Sequence, residues 1–178
     1  MMTATPPDTL TLERVPTPIG TALVATDEAG ILRAFNWTDY ESAMATWISR
    51  RYPAAARREG RGPLRSRFDA YFAGETDAFA GIAWHGAGTA FQQQVWDALC
   101  SIPAGETLSY AGLAEAVGRP RAVRAVGRAN GSNPVALVVP CHRVIGAGGT
   151  LTGYGGGLHR KRWLLEHEGA AFKAPAWR

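Results

Sequence analysis

The residues best suited to covalent chemistry lie together in VVPCHRVIG (138–146), where a thiol stands beside an imidazole and a guanidinium after an apolar run. A thiolate is a strong nucleophile, but a free thiol has a pKa of about 8.5 and needs a base at neutral pH. His142 is the adjacent candidate base for Cys141. Because a buried cysteine is more often an inert small hydrophobe, this pair alone leaves both interpretations open.

The other cysteines and histidines do not indicate a metal or a disulfide. The chain has 178 residues and only two cysteines, Cys100 and Cys141, which form no CxxC pair. Its four histidines match no spacing typical of metal ligands. The N-terminus MMTATPPDTL lacks the features of a signal peptide, and no run approaches the roughly 18 apolar residues that span a bilayer. We therefore expect a cytoplasmic protein with no metal.

The charge is compatible with a polyanionic partner. The formal net charge is +4, and 17 of the 19 basic residues are arginine, since Lys161 and Lys173 are the only lysines. A basic surface of this kind attracts nucleic acid. A merely solvated, arginine-rich surface explains the same charge equally well.

The first half of the chain predicts a small α+β domain. Strand-like runs at 9–15, 21–26 and 31–37 are separated by the turn signals PTPIG and DEAG, which favours an antiparallel meander. Apolar residues then recur at helical spacing on either side of a predicted loop, 53–63. These residues are Tyr40, Met44, Trp47 and Ile48 before the loop, and Leu64, Phe68, Tyr71 and Phe72 after it. We assign residues 1–80 to this domain and residues 76–88 to a connecting segment.

The second half begins with a predicted helix. Thr89 and Gln92 form a capping box, and the helix ends before Pro103. Its predicted apolar face consists of Phe91, Val95, Ala98 and Leu99.

Two short helices are predicted next. Ser109 is placed to cap a helix over 110–117, and Gly118 breaks it. Pro120 is predicted in the first turn of a second helix over 119–130, which makes the pair a candidate helix-turn-helix. The second helix interleaves arginines with alanine and glycine, as a DNA-reading helix does, although an ordinary arginine-bearing surface helix has the same pattern. These arginines are Arg119, Arg121, Arg124 and Arg128.

Five motifs, in order and spacing, resemble the O6-alkylguanine-DNA alkyltransferase family. They are FQQQVWDAL, IPAGETLSY, RAVGRANGSNP, PCHRVIG and GYGGGLHRKRWLLEHEG, which together run from Phe91 to Gly169. The first half resembles the family only in layout and in the phrase YFAGE. The resemblance implies an α+β protein. Its two domains are a ribonuclease-H-like N-terminal domain (1–80) and a mostly helical DNA-binding and alkyltransferase domain (89–172).

The resemblance also implies a reaction. A cysteine takes a methyl or other alkyl group from O6 of guanine, and in the same way from O4 of thymine, and keeps it irreversibly. The substrate is double-stranded DNA, bound through the minor groove with the damaged nucleotide flipped out of the stack. No cofactor is implied, and we expect a monomer.

Four residues match the family's catalytic positions. Cys141 corresponds to the acceptor, and His142 to a base that works through a water. Glu168 corresponds to the carboxylate that polarises the histidine, and only the alignment selects it over Glu166 or His167. Asn133 corresponds to an asparagine that links the DNA-reading helix to the active-site segment. Since Cys141 and His142 are adjacent, we expect either a turn or a water between their side chains.

The family's pocket and DNA contacts also find matches. Tyr110 corresponds to a tyrosine that contacts the flipped base and donates a hydrogen bond to the departing guanine. Val144 and Tyr154 correspond to the pocket walls, and the Val144 carbonyl is expected to accept from the guanine amino group. The amide of Gly155 is expected to bind O6, with Gly156 beside it. Arg124 corresponds to the arginine that enters the base stack. The expected neighbouring DNA contacts are Arg119, Arg121 and Ala125.

Two rival functions remain. The first is a non-catalytic sensor of alkyl damage, but proteins of that kind replace the acceptor cysteine, so Cys141 argues against it. The second is a cysteine hydrolase with a Cys-His-Glu triad, for which a PCHRV motif in this setting has no counterpart.

Overall fold

The structure, a computed structural model, describes residues 5–173. Its contacts form two compact units, the first ending at Ala87 and the second beginning at Gly88. The first unit contains β1 (Thr9–Thr17), β2 (Gly20–Asp27), β3 (Leu32–Trp37), α1 (Glu41–Arg51), β4 (Ala56–Glu59) and α2 (Arg65–Phe72). The second contains α3 (Ala90–Cys100), β5 (Leu108–Ser109), α4 (Tyr110–Ala116), α5 (Val123–Gly131), β6 (Val144–Ile145) and α6 (Leu158–His167).

The sheet of the first unit has the strand order β3-β2-β1-β4. Strands β1, β2 and β3 form the predicted antiparallel meander, with pairs such as Leu12 opposite Ala25. Strand β4 corrects the prediction of a loop over 53–63, because Ala56–Glu59 pairs in parallel with β1. Its sequence, ARRE, is exposed throughout because it forms the edge of the sheet, so it shows no apolar alternation.

The two predicted helices of this unit cover opposite faces of the sheet. Ala34 of β3 lies in one apolar cluster with Met44 and Ile48 of α1. The next residue, Phe35, points the other way and stacks on Phe68 of α2, with ring centroids 5.9 Å apart. The first unit is therefore a helix–sheet–helix sandwich, and the helical periodicities are confirmed.

The segment predicted to connect the halves forms part of the first unit as far as Ala87. Trp84 forms a parallel bridge with Leu32, and the amide of His85 donates to the Leu32 carbonyl at 3.0 Å. The chain thus pairs with β3 before it reaches the second unit.

Helix α3 begins with the predicted capping box. The Thr89 hydroxyl accepts from the amide of Gln92, and the Gln92 side chain accepts from the amide of Thr89. Val95 and Leu99 are buried as predicted, together with Trp96. The Trp96 indole N–H donates to the Ala129 carbonyl of α5 at 2.9 Å, so α3 supports α5 through an aromatic side chain with a satisfied polar atom.

Helix α4 begins at the predicted cap, where the Ser109 hydroxyl accepts from the amide of Gly112 at 3.0 Å. It ends in a Schellman motif: Gly118 has φ +69°, its amide donates to Glu115, and the amide of Arg119 donates to Ala114. The prediction that the next helix spans 119–130 with Pro120 in its first turn is wrong at its start. Since the amide of Arg119 is used to end α4, helix α5 begins only at Val123, and Ala122 is its N-cap.

No helix within residues 5–173 is both long enough and apolar enough to cross a membrane.

Candidate active site

The thiol of Cys141 is positioned by a short 3₁₀ turn, Cys141–Arg143. The amide of Arg143 donates to the carbonyl of Pro140 at 3.0 Å, which closes the turn directly around Cys141. The following strand β6 pairs in parallel with β5, with Ser109 opposite Ile145. The segment that carries Cys141 and the start of α4, where Tyr110 lies, are therefore neighbours.

His142 is held by Glu168. Its Nε2 lies 2.9 Å from Glu168 Oε1, and both side chains are fully buried. A carboxylate can only accept, so the imidazole proton is on Nε2. The buried Nδ1 has no hydrogen-bond partner among the described residues. It is therefore a base with a free lone pair, one residue from the thiol.

Arg143, to which the sequence analysis assigns no role, holds Glu168 from the other side. Its Nε donates to Glu168 Oε2 and its Nη2 to Oε1, each at 2.9 Å. Its Nη1 donates to the Ile102 carbonyl at 2.6 Å. Burial by itself would raise the pKa of Glu168, but His142 and Arg143 outweigh it and hold the pKa well below its ordinary value. Glu168 is therefore ionised at neutral pH, next to the His142 imidazole.

The resting charge state of the reactive pair follows from burial. Burial raises the pKa of the Cys141 thiol, an effect that a hydrogen bond from Asn133 and the charge of Lys161 only partly offset. Burial likewise lowers the pKa of His142 in spite of Glu168. At neutral pH the pair is therefore a neutral thiol and a neutral imidazole.

Lys161 is a buried residue of the site that the sequence analysis did not identify. Its Nζ donates to the carbonyls of Val144 at 2.5 Å, Thr152 at 2.7 Å and Gly153 at 3.2 Å. Burial lowers its pKa to about 8, although the nearby Cys141 acts in the opposite direction. Lys161 therefore links Val144, just after the Cys141–Arg143 turn, to Thr152 and Gly153. Within LHRKRW the buried Arg160 and Lys161 look like the exposed Arg162, so no local pattern could have revealed Lys161.

Asn133 lies between α5 and the acceptor segment. Its Nδ2 donates to the Val139 carbonyl at 2.8 Å, and its Oδ1 accepts from the amide of Val135 at 3.0 Å. A second asparagine, Asn130 on α5, donates to the Cys141 carbonyl at 3.5 Å. Asn133 therefore holds the chain just before Cys141, and Asn130 adds a longer hydrogen bond that the sequence analysis does not identify.

Three of the residues predicted to line the pocket are Tyr110, Val144 and Tyr154, and their surroundings are as follows. The Tyr110 hydroxyl donates to the Thr152 carbonyl at 3.4 Å, and its ring lies beside Gly127 of α5. Val144 is fully buried, and its carbonyl already accepts from Lys161, so only its second lone pair is open to a ligand. The ring of Tyr154 stands edge-on to His142 at 6.5 Å between centroids.

The two glycines predicted to lie in the pocket, Gly155 and Gly156, differ in environment. Gly155 is exposed, whereas Gly156 is buried and its carbonyl accepts from Arg160 Nη1 at 2.9 Å.

Comparisons with known proteins identify the family to which the chain belongs. A sequence model described as "6-O-methylguanine DNA methyltransferase, DNA binding domain" matches residues 90–170. A methylated-DNA–protein-cysteine methyltransferase from Shigella flexneri is 46% identical over 165 residues, covering 88% of this chain and 94% of that protein. The chain belongs to the methylated-DNA–protein-cysteine methyltransferase family. A relative of the same name from Mycobacterium leprae is 63% identical over 103 residues, covering 58% of this chain and 62% of that protein.

Solved methyltransferase structures agree with both units of the fold. The Mycobacterium tuberculosis O6-methylguanine methyltransferase is 41% identical with a TM-score of 0.74, covering 94% of this chain and 96% of that one. The M. tuberculosis protein in complex with DNA gives a TM-score of 0.75 at 41% identity, with 89% and 92% covered. The family and the α+β fold expected from the motifs are confirmed. The likeness also extends through the first half, where the sequence showed only layout and YFAGE.

The exposed side of α5 carries arginines. Arg124 and Ala125 are exposed, as is Arg121 just before the helix, while Val126 and Ala129 face the interior. Arg119 is placed differently, since its guanidinium lies over the ring of Phe91 at 5.6 Å. This cation–π contact gives Arg119 a structural role within the protein.

Proposed function

We propose that the chain reverses DNA alkylation by transferring the alkyl group of O6-alkylguanine to its own Cys141. The observation that carries the proposal is the pairing of a buried thiol with a neutral histidine whose Nε2 is fixed by Glu168. That pair lies in the unit with arginines on the exposed side of α5. The relatives' printed names and the relative solved with DNA support the same activity.

The transfer needs one displacement. The Cys141 proton passes to His142 Nδ1, through a water as in the family, and Glu168 stabilises the imidazolium. The thiolate attacks the alkyl carbon, a carbon–sulfur bond forms, and the carbon–O6 bond breaks with its electron pair left on guanine. Tyr110 is the proposed proton donor to the departing base. The products are a thioether and an unmodified guanine.

The pocket residues orient the base. Tyr110 and Tyr154 are the aromatic neighbours of the acceptor, and Val144 is the buried residue opposite them in the proposed pocket. The amide of Gly155 is the proposed donor to O6, and the exposed position of Gly155 leaves that amide accessible beside Gly156. O4 of an alkylated thymine presents similar chemistry and is a proposed second substrate.

Base flipping brings O6 to the buried thiol. An alkyl carbon within a base stack cannot be approached from behind, so the nucleotide has to leave the duplex. In the proposed complex α5 lies in the minor groove and Arg124 enters the gap, while Arg121 and Ala125 contact the neighbouring backbone. The protein acts as a monomer without cofactor or metal. Its two free thiols fit the reducing cytoplasm.

Arg124→Ala tests the flipping step. It should slow alkyl uptake from an O6-methylguanine duplex far more than uptake from free O6-benzylguanine, because the free base needs no flipping. Single-turnover rates from intact-protein mass measure both reactions. Arg50→Ala, which removes an exposed arginine of the first unit, is the charge-matched control and should leave both rates unchanged.

Equal slowing on both substrates would mean that Arg124 supports the pocket rather than the flip. Binding of the damaged duplex with no change in the wild-type protein's mass would instead identify a damage sensor and overturn the transfer proposal.

A further inference from the structure

The loop that carries Tyr154 and Gly155 is rich in glycine, although it has hydrogen bonds of its own, such as the one from the Gly146 amide to the Thr150 carbonyl at 2.7 Å. This substrate loop, residues 146–157, has seven glycines among its twelve residues. Gly148, Gly149 and Gly157 have φ values of +70°, +86° and +92°, a region that costs glycine little. Since glycine also loses the most conformational freedom on ordering, contacts from outside the loop add to these internal hydrogen bonds in stabilising its conformation.

The second half of the substrate loop is anchored by α6. Lys161 Nζ holds the carbonyls of Thr152 and Gly153, and Arg160 Nη1 holds that of Gly156. These anchors lie at residues 152–156, whereas residues 146–150 have internal hydrogen bonds, including the one from the Gly146 amide to the Thr150 carbonyl.

The first half is held by the residues that follow Glu168. Helix α6 ends in a Schellman motif, in which Gly169 has φ +72° and the amide of Ala170 donates to Leu165 at 2.9 Å. Residues 169–173, here called the C-terminal strap, then run beside the substrate loop. The amide of Lys173 donates to the Gly149 carbonyl at 2.8 Å, and Lys173 forms a parallel bridge with Thr150.

Apolar packing reinforces this pairing. Ala170 and Phe172 of the strap pack against a buried cluster of Ile145, Leu151 and Leu165. Ile145 belongs to β6 directly after the acceptor turn, and Leu151 belongs to the substrate loop. The strap thus packs against a cluster that contains residues of both the acceptor segment and the substrate loop.

We propose that the C-terminal strap positions the substrate loop for the alkylated base, with the Lys173 amide and the Phe172 ring as its positioning groups. The proposal rests on the proposed function, because it assigns the loop to base binding. The strap begins at Gly169, directly after Glu168. The same short segment of chain therefore carries the carboxylate that holds His142 and the groups that contact the substrate loop.

Lys173→Pro is the direct test, because it removes the amide hydrogen while proline remains compatible with an extended edge. Lys173→Ala keeps the amide and is the matched control. We expect Lys173→Pro to raise the half-saturating concentration of free O6-benzylguanine about two- to tenfold, the effect of one lost hydrogen bond. Lys173→Ala should behave as the wild type.

Two further measurements separate positioning from general weakening. Alkylation of Cys141 by iodoacetamide, which needs no base pocket, should be no slower in Lys173→Pro than in the wild type. Phe172→Ala should also weaken binding of the free base, and Phe172→Leu should restore it by refilling the cluster.

The strap proposal is overturned if the proline and alanine variants bind the base equally, or if the variants lose thermal stability with no change in half-saturation. A wild-type protein that takes up no benzyl group from O6-benzylguanine would refute the proposed function. The strap proposal, which depends on that function, would then be refuted as well. Normal wild-type uptake with equal variants would refute the strap alone.

Discussion

Replacing Cys141 by serine is expected to abolish alkyl uptake and to leave DNA binding nearly unchanged. A hydroxyl at this position is far less acidic than a thiol, so the neutral His142 cannot generate a useful nucleophile from it. Binding is expected to persist because the exposed arginines of α5 are untouched. Intact-protein mass after exposure to an O6-methylguanine duplex measures uptake, and fluorescence anisotropy with the same duplex measures binding.

The chain supplies its own control for this experiment. Cys100 is the other free cysteine and is exposed at the end of α3. Cys100→Ser should retain full uptake. Alkyl uptake by Cys141→Ser that peptide mapping places on Cys100 would show that the acceptor has been assigned to the wrong residue.

Glu168→Gln is expected to have the largest effect on stability. The substitution leaves the buried Arg143 without its anion, and breaking one side of a buried ion pair costs about 3–5 kcal/mol of unfolding free energy. It also offers His142 an amide instead of a carboxylate, so the tautomer is no longer fixed. Loss of the oriented base should slow transfer by about 10²–10⁴-fold. Chemical denaturation and single-turnover rates measure the two effects.

The difference in unfolding free energy between the wild type and Glu168→Gln should depend on pH. The folded-state pKa of Glu168 lies well below its ordinary value of 4.5, so its ion pairs stabilise the protein fully above about pH 4.5. As the pH falls from there, the unfolded state takes up a proton that the folded state does not, and this stabilisation is lost. The difference between wild type and Glu168→Gln should therefore shrink on acidification.

Glu166→Gln is the matched control on the same helix. Glu166 pairs with Arg162 on the surface at 2.8 Å, where half of each side chain is exposed, and such a pair contributes about 0–1 kcal/mol. A Glu166→Gln variant as unstable and as slow as Glu168→Gln would contradict the assignment of the carboxylate.

The parts of the fold that the sequence predicted well are those specified by local interactions. The Thr89 capping box, the Ser109 cap and the alternating strands β1 to β3 depend on residues a few positions apart. Strand β4 was missed because its pairing with β1 comes from the backbone of an exposed edge. The start of α5 was misplaced because the amide of Arg119 serves the preceding helix end, which competes with the start signal of Pro120.

The candidate site likewise contains residues that the sequence analysis identified and residues that only the structure reveals. The resemblance supplied Cys141, His142 and Glu168, and the His142–Glu168 contact is present at 2.9 Å. The roles of Arg143 and Lys161 could not be read from the sequence. A charged side chain becomes a buried anchor only when distant carbonyls and carboxylates surround it, and Ile102, Thr152 and Glu168 are brought there by the tertiary fold.

Counting equivalents tests the central claim, that Cys141 is a stoichiometric acceptor, most directly. The thioether offers water no carbonyl and has a poor leaving group, so neither His142 nor Glu168 can regenerate the thiol. With the O6-methylguanine duplex in excess, repaired guanine should rise to one equivalent of active protein and stop, as each chain gains one methyl group on Cys141. A hydrolytic enzyme would show a burst followed by continued turnover. Sustained repair beyond one equivalent, with Cys141 recovered unmodified, would contradict this account.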